Sequence, residues 1–538
     1  MIGAPEPPDL LNPGAALRLP LEAARQALTF AFAAAGAGDA FDRMLDAVSP
    51  PEASWDPECF VQDLFVSDLV RRCMPLVVGG KARPVHLGHM VRILSNPPVD
   101  PDAVSYRHGI LAELCQKSEL EKACEDTWLE IDHLVEQLRA AELRGRLGPI
   151  RRRLEILRSA KRILDACATR FSEAKSGLGR LATFSEGVRA TAAYKNLCDV
   201  LDHEDHLATV ELRVRVGYDG ELRGFEIVRA EENRENPLHA SPLRRFFLRL
   251  AFLFRGYHLR RNEVLGRLVN GAFDAVTDVV VVLLQVLGDL EFYLAHMGFR
   301  RLARQKGLDV CLPEVGPAGD PKPTRLRGLF NPFLLHEERP PRPCDLDLHA
   351  RGLVVVTGPN SGGKTRFLQA LAITQLLAQS GGFVPARDTA LAWREGLFVS
   401  LITPVTSDQK EGRLGTELLR IRRMFQKLGR GNLVILDELC SGTNPSEGEE
   451  IFELVVTLLD QLEPQAFIIT HFLRLAAELE RRPPIDHLSF LQVELDENER
   501  PTFGFVPGVA TTSLARNTAE RLGVTREALE TLVREKRR

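Results

Sequence analysis

The string RGLVVVTGPNSGGKTRFLQALAITQLL, residues 351–377, constrains this chain more than any other. A short apolar run leads into a glycine-rich turn, and a helical pattern of apolar residues follows. Gly358, Gly363, Lys364 and Thr365 fit GxxxxGK(S/T), with Pro359, Asn360, Ser361 and Gly362 between them. Glycines, lacking a Cβ, let backbone N–H groups turn toward phosphate oxygens. The N-terminus of the following helix adds the positive end of its dipole. Lys364 is placed to reach β- and γ-phosphates, and Thr365 to offer its hydroxyl to Mg²⁺. The competing reading is a glycine-rich turn without a ligand; the strand before it and the helix after it favour a nucleotide site.

Two further strings suit the same chemistry. LVILDE, residues 433–438, reads as a buried strand delivering Asp437 and Glu438 at its C-terminal end, where ligands sit in open α/β sheets. Asp437 is expected to hold Mg²⁺ through water and Glu438 to orient the attacking water. FIITHF, residues 467–472, reads as another buried strand ending at Thr470 and His471. A histidine there can contact the γ-phosphate or the water and report its loss. The bland alternatives are an acidic turn and a satisfied strand-end histidine.

From 351 onward short β runs alternate with helices, the pattern of a mostly parallel sheet with helices on both faces. The strands expected are 353–356, 397–401, 433–436, 466–469 and 488–493. The texture before 351 differs. Residues 1–55 are rich in Ala, Pro and Gly, and 59–205 read mainly as helix. VELRVRVGYDGELRGFEI, within 209–230, alternates on both sides of Asp219–Gly220 and reads as a hairpin. Helical patterns return from about 242 to 306, and a Pro-rich linker spans 312–343.

Lys plus Arg is 69 and Asp plus Glu 73, a net charge of −4, which excludes a uniformly basic nucleic-acid coat protein but not a local basic patch. Nine cysteines without CxxC spacing argue for reduced thiols in a cytoplasmic protein rather than a disulfide framework or zinc ribbon. The N-terminus carries acids and prolines where a signal peptide needs positive charge and an apolar run. The greasiest stretch, 279–287, is too short to span a bilayer and reads as a buried helix segment.

TGPNSGGKT (357–365) resembles the P-loop of the MutS family of DNA mismatch-repair ATPases, where Pro-Asn after the first glycine is characteristic. LLAQSGGFVPA (376–386), LDELCSGTNPSEG (436–448), ITHF (469–472) and PGVATTSLARNTAERLGV (507–524) are similar to further segments of that family. Less sharply, MVRILSNPPVDPDAVSYRHGILAEL (90–114) looks like the start of its lever helix, and LGDLEFYLAHMGFRRLARQKG (287–307) like the helix returning to the ATPase. The resemblance implies an α/β ABC-type P-loop ATPase domain preceded by a mainly α-helical lever and shortened clamp. It divides the chain into an N-terminal extension (1–55), a helical core (56–310), a linker and domain start (311–350) and the ATPase domain (351–538). It implies ATP and Mg²⁺ as cofactors, a homodimer with composite sites, and ATP hydrolysis controlling a DNA clamp in mismatch repair or recombination control. By position Asn360 contacts nucleotide, Lys364 and Thr365 hold phosphate and Mg²⁺, Asp437 and Glu438 do metal and water work, and His471 acts as a switch.

The chain also departs from the family pattern. No GxFYE-like stretch is present, and some 55 residues before the helices are too few for mismatch-binding and connector domains. Thr365, Gln379 and GTNPSEG resemble the recombination-suppressing second branch, here expected without its C-terminal nuclease domain. Where the family has a Ser-Thr-Phe signature, within 412–419, this chain has Leu414, Gly415 and Thr416. The alternatives to DNA maintenance are a nucleotide-gated remodeller of ribosomes or other RNA assemblies, and a weakly hydrolysing structural partner.

Two basic runs are candidate phosphate-contacting surfaces. Residues 139–162 hold nine Lys or Arg against Glu142 and Glu155, and read either as a phosphate-tracking surface or as a solvated helix face. Residues 241–261 interleave six arginines with Phe246, Phe247, Phe252, Phe254 and Tyr257, and read either as DNA-contacting or as an amphipathic helix with core aromatics. His203–His206, His86 and His89 read as polar helix-end groups, and Cys440 as a small buried residue.

Overall fold

The computed structural model describes residues 5–14, 16–33, 39–48, 53–139, 148–206, 209–216, 222–231, 261–316, 323–401, 412–439, 444–511 and 524–536. The side chains of 148–151, 202–231, 261–268, 412–414, 416, 417 and 531 lie outside that description, as do 241–260, Cys440 and the side chains of His203–His206. The chain forms two compact units. One comprises Met1–Ser49, Leu76–Met90 and Gly109–Leu294; the other Pro50–Pro75, Val91–His108 and Ala295–Arg538.

The first unit is mainly helical. Its helix Ser118–Arg139 buries Leu120, Cys124, Thr127, Trp128, Ile131, Leu134, Val135 and Leu138, the three-and-four spacing that puts one apolar stripe against a core. Helices Gly148–Arg170, Gly179–Arg189 and Ala192–His206 follow. A short ribbon pairs β1 (Leu76–Val78) with β2 (Lys81–Arg83). The alternation around Asp219–Gly220 becomes a hairpin, β3 (Thr209–Val216) against antiparallel β4 (Leu222–Glu231).

The expected buried apolar helix is part of Arg261–Gln305. Val269–Gln305 is long and apolar enough to cross a bilayer, yet its most apolar window is 72% buried inside the protein. Two fully buried carboxylates on it are matched. Asp289 pairs with Arg18, which also holds Asp9 at 3.1 Å. Glu291 accepts from the His86 backbone at 3.0 Å and from Trp128 Nε1 at 3.2 Å, and His86 Nδ1 lies 2.7 Å away. Such partners are what allow charge inside an apolar stripe.

The second unit is built on a six-stranded sheet. Five strands are parallel: β8 (Gly352–Thr357), β10 (Leu397–Ser400), β11 (Leu433–Leu436), β12 (Gln465–Ile469) and β13 (Leu488–Leu495). They run in the order β10-β11-β12-β8-β13, and β14 (Pro501–Pro507) adds antiparallel at the edge. Every residue of β8, β11 and β12 is buried, as expected of parallel strands covered on both faces. The five sequence-expected strands fall within two residues of these bounds.

The stretch 312–343 is not a plain linker. β5 (Glu314–Val315), β6 (Thr324–Leu329) and β7 (Cys344–Leu348) join β9 (Asp388–Leu391) in a second sheet of order β5-β9-β6-β7. TRLRGL alternates buried and exposed, a strand pattern that the surrounding prolines masked. Residues 56–75 and 91–108, read within the helical core, and 50–55, read within the N-terminal extension, cluster with the strands of this second unit instead.

Candidate functional site

The parallel arrangement brings the C-terminal ends of β8, β11 and β12 to one edge, where crevices of open α/β sheets form. The glycine-rich turn leaves β8 there, with Gly358 at φ +132°, Ser361 at +63° and Gly363 at +88°. Gly363 is the N-cap of helix Lys364–Gln379, so the helix dipole opens onto the loop. Thr357 anchors the strand end: its hydroxyl accepts from Ala510 N at 2.9 Å.

Lys364 is buried, and its Nζ donates to the carbonyls of Gly358 at 2.9 Å and Pro359 at 3.0 Å. Burial holds the ammonium below its ordinary pKa, partly offset by Glu438 and Asp437. Asp437 is also buried, and its carboxyl is raised by desolvation, opposed by a hydrogen bond from Thr365 and by Lys364. Its Oδ1 is buried without a hydrogen-bond partner among the described residues. Glu438 adopts φ +51°, a left-handed backbone that a side-chain-bearing residue holds only at some cost. Its Oε1 lies 2.6 Å from His471 Nε2.

The structure therefore gathers residues 358–365, Asp437, Glu438 and His471 at one sheet edge. A cleft of about 950 Å³ opens beside them, lined by Asn360–Phe367 and Glu438. It is also lined by residues that motif reading missed: Leu334, Arg339, Arg342, Phe503 and Phe505. Phe503 stands 49% exposed with φ +62°, and Phe505 stacks on Phe367 at 4.0 Å between centroids. The alternating aromatics of TFGF were the one sequence signal for them. A smaller hollow of about 460 Å³ in the helical unit is lined by Glu186, Arg189 and Tyr194.

Residues 354–533 match the model of MutS domain V. That matched stretch, a third of the chain, is similar to the MutS family. Among curated relatives, Endonuclease MutS2 of Thermus thermophilus is 33% identical over 178 residues, 33% of this chain and 24% of that protein. Endonuclease MutS2 of Thermomicrobium roseum is 30% identical over 233 residues, 41% and 29% of the two chains. The Geobacillus kaustophilus protein of the same name is 29% identical over 252 residues, 46% and 30%. The similarity is to the second branch of the family, and the matched stretch spans under a third of each of these relatives.

Two family-like segments take clear local forms. The Asn-Pro of GTNPSEG starts helix Pro445–Asp460: Asn444 caps it through Ser446 N at 3.3 Å, and Pro445 fills the first turn. The 412–419 stretch begins helix Gly412–Lys427, with the side chains of Leu414 and Thr416 outside the described residues.

Five of the nine bases in the run 139–162 have partners inside the helical unit, while Arg144, Arg146 and the Arg151 side chain lie outside the described residues. Arg152 and Arg153 donate to the carbonyls of Ala31 and Phe32 at the C-terminal end of helix Leu21–Ala33, where cations complement the dipole. Arg139 pairs with Asp42 and Glu136, Arg158 with Glu155 and Lys161 with Asp165. These groups serve packing first. The run 241–260 lies outside the described residues.

Proposed function

We propose that the chain is an ATP-dependent DNA-binding protein that hydrolyses ATP to ADP and phosphate and uses nucleotide occupancy to control a dimeric DNA clamp. The observation that supports this most is the buried Asp437 Oδ1 beside Thr365, at the edge that also holds the phosphate loop, Glu438 and His471. An orphaned buried carboxylate oxygen next to a hydroxyl fits a divalent cation. Thr365 and Asp437 are the residues that would hold Mg²⁺. When bound, the ion would neutralise charge developing on the phosphates. Backbone N–H groups of Gly358, Asn360, Ser361, Gly363 and Lys364 would donate to phosphate oxygens, and Lys364 Nζ would exchange its two carbonyls for them.

Glu438 is the general base that orients water, and His471, 2.6 Å from it, holds the carboxylate in place and senses the γ-phosphate. Phe503 would offer a face to the nucleobase. The helical unit, with its β3–β4 hairpin, would act as lever and shortened clamp. A homodimer belongs to the same reading, since Leu454, Leu458, Leu529, Leu532 and Val533 are exposed apolar residues that a second copy would cover. So does a cytoplasmic setting, in keeping with the buried free thiols Cys59, Cys73, Cys124 and Cys167.

The test is Mg²⁺-dependent ATP hydrolysis, followed by competition binding with ATP at one stated salt concentration. The competitors are homoduplex, single-mismatch duplex, four-way junction and structured RNA. A DNA species favoured by about tenfold, 1.4 kcal/mol, supports DNA maintenance, with mismatch pointing to repair and junction to recombination control. RNA winning, or no preference for DNA, overturns the substrate and leaves the ATPase.

A further inference from the structure

β10 is an end strand of the main sheet, and the short helical turn Pro57–Cys59 packs against it. Trp55 Nε1 donates to the Arg394 carbonyl at 3.1 Å, and Asp56 and Glu58 both pair with Lys427 of helix Gly412–Lys427. Covering an edge strand needs only bulk or a surface charge. Asp63 does something else. Its carboxylate is only 14% exposed, and its Oδ1 accepts from Leu401 N at 3.1 Å with Arg420 Nη1 3.7 Å away. Burial pushes this carboxyl above its ordinary pKa against the pull of Arg420 and Leu401 N, so the charge is held there at a cost.

From Asp63 the contacts continue to the nucleotide edge. Arg420 Nη1 donates to Ser400 Oγ and to the Leu401 carbonyl, both at 3.3 Å. The Ser400 carbonyl accepts from Asp437 N at 2.9 Å. The last residue pair of β10 and β11 is Ser400 with Leu436, immediately before Asp437. Asp63 is therefore two links from the backbone of the carboxylate whose Oδ1 is orphaned, and at such a site a displacement near 1 Å is costly.

We propose that Asp63 is a positioning residue: through Leu401, Arg420 and Ser400 it fixes the backbone of Asp437 and thereby sets the site's grip on Mg²⁺. This rests on the reading of Asp437 as the Mg²⁺ carboxylate, and it makes residues 55–63 a lever on the ATPase chemistry.

The test uses the full chain, a fluorescent non-hydrolysable ATP analogue and equilibrium binding in excess Mg²⁺ and in EDTA, with kcat and KM for ATP beside it. In Asp63→Ala the advantage that Mg²⁺ gives to binding should shrink about tenfold, the low end for groups that support metal ligands. Binding in EDTA should stay within about twofold, and kcat should fall more than KM rises. Asp63→Asn, which keeps an oxygen acceptor for Leu401 N, should recover most of the loss. Arg420→Ala should lose as much as Asp63→Ala, and the double variant no more than either. If Asp63→Ala fails to fold, Asp63→Asn and Arg420→Ala decide the matter by the same ratio. A parent-like Mg²⁺ advantage in Asp63→Ala, or an equal loss in EDTA, overturns the proposal. If Asp437→Asn also keeps the parent's advantage, or the parent has none, it is the assignment of Asp437 that fails.

Discussion

Replacing Gly358 with alanine isolates what the first glycine of the loop does. The residue sits at φ +132°, and a Cβ built there lies 2.7 Å from Val493 Cγ2, 2.9 Å from Val493 Cβ and 3.2 Å from Val493 N. Two costs follow. A backbone held outside the regions open to side-chain-bearing residues costs of order 1–3 kcal/mol. Forcing a methyl into a closed contact costs about 1–3 kcal/mol more. Their sum, about 2–6 kcal/mol, is a large part of the ~5–15 kcal/mol that holds a typical domain together. Val493→Ala removes the Cγ atoms but leaves the Cβ at 2.9 Å and the backbone nitrogen at 3.2 Å. The double variant should therefore recover part of the packing cost, a favourable coupling of about 1–2 kcal/mol, and none of the backbone cost. Urea unfolding of the four chains, followed by fluorescence of Trp55 and Trp393 in the second unit, measures the cycle; nucleotide binding reports the loop itself. Additivity within about 0.5 kcal/mol would refute the reasoning, because the Val493 contact would then not be what requires glycine.

Three further outcomes are expected. Glu438→Gln should lower kcat by about 10²–10⁴ while keeping nucleotide affinity, and hydrolysis at the parent rate would remove Glu438 from the chemistry. Phe503→Ala should weaken ATP binding by about 1–3 kcal/mol, roughly 5- to 150-fold, and leave binding of inorganic triphosphate unchanged; equal losses for both ligands would mean that Phe503 supports the loop and not the base. His86 is pulled down by burial but raised overall by its hydrogen bond to Glu291 and by the charges of Glu291 and Asp42. Its contribution to stability is thus complete below the ordinary histidine pKa of about 6.5 and is lost as pH rises through the higher folded value. The urea-midpoint gap between parent and His86→Gln should be widest on the acid side and narrow toward alkaline pH. A gap that widens with pH would reverse the assignment.

The edge proposed to bind nucleotide was readable because its determinants are local strings. A strand, a glycine turn and a helix are encoded within 351–377, and the Asp437–Glu438 and His471 strings carry their own buried strands. Parallel pairing then puts their ends together without further information. Phe503, Asp63 and Arg420 were not readable that way. Their partners lie far along the chain, Asp63 to Leu401 being 338 residues, and no local periodicity marks such a pairing. The Pro-rich stretch concealed strands because β6 and β7 are only six and five residues long. The basic run 139–162 was ambiguous because charge counts do not reveal which carbonyls and carboxylates the arginines face.

The pairing of Arg18 with Asp289 bears on how the chain is made. The two residues are 271 positions apart. At about 5–20 residues per second, a ribosome needs roughly 15–50 s between them. For nearly all of that interval Leu10, which exchanges backbone hydrogen bonds with Asp289 and Tyr293, and Phe32, which stacks on Phe273, lack those partners. The N-terminal segment must therefore wait, exposed, for a late-made partner. A nascent chain halted before residue 289 should bind chaperones through its first fifty residues, and one released beyond 305 should not.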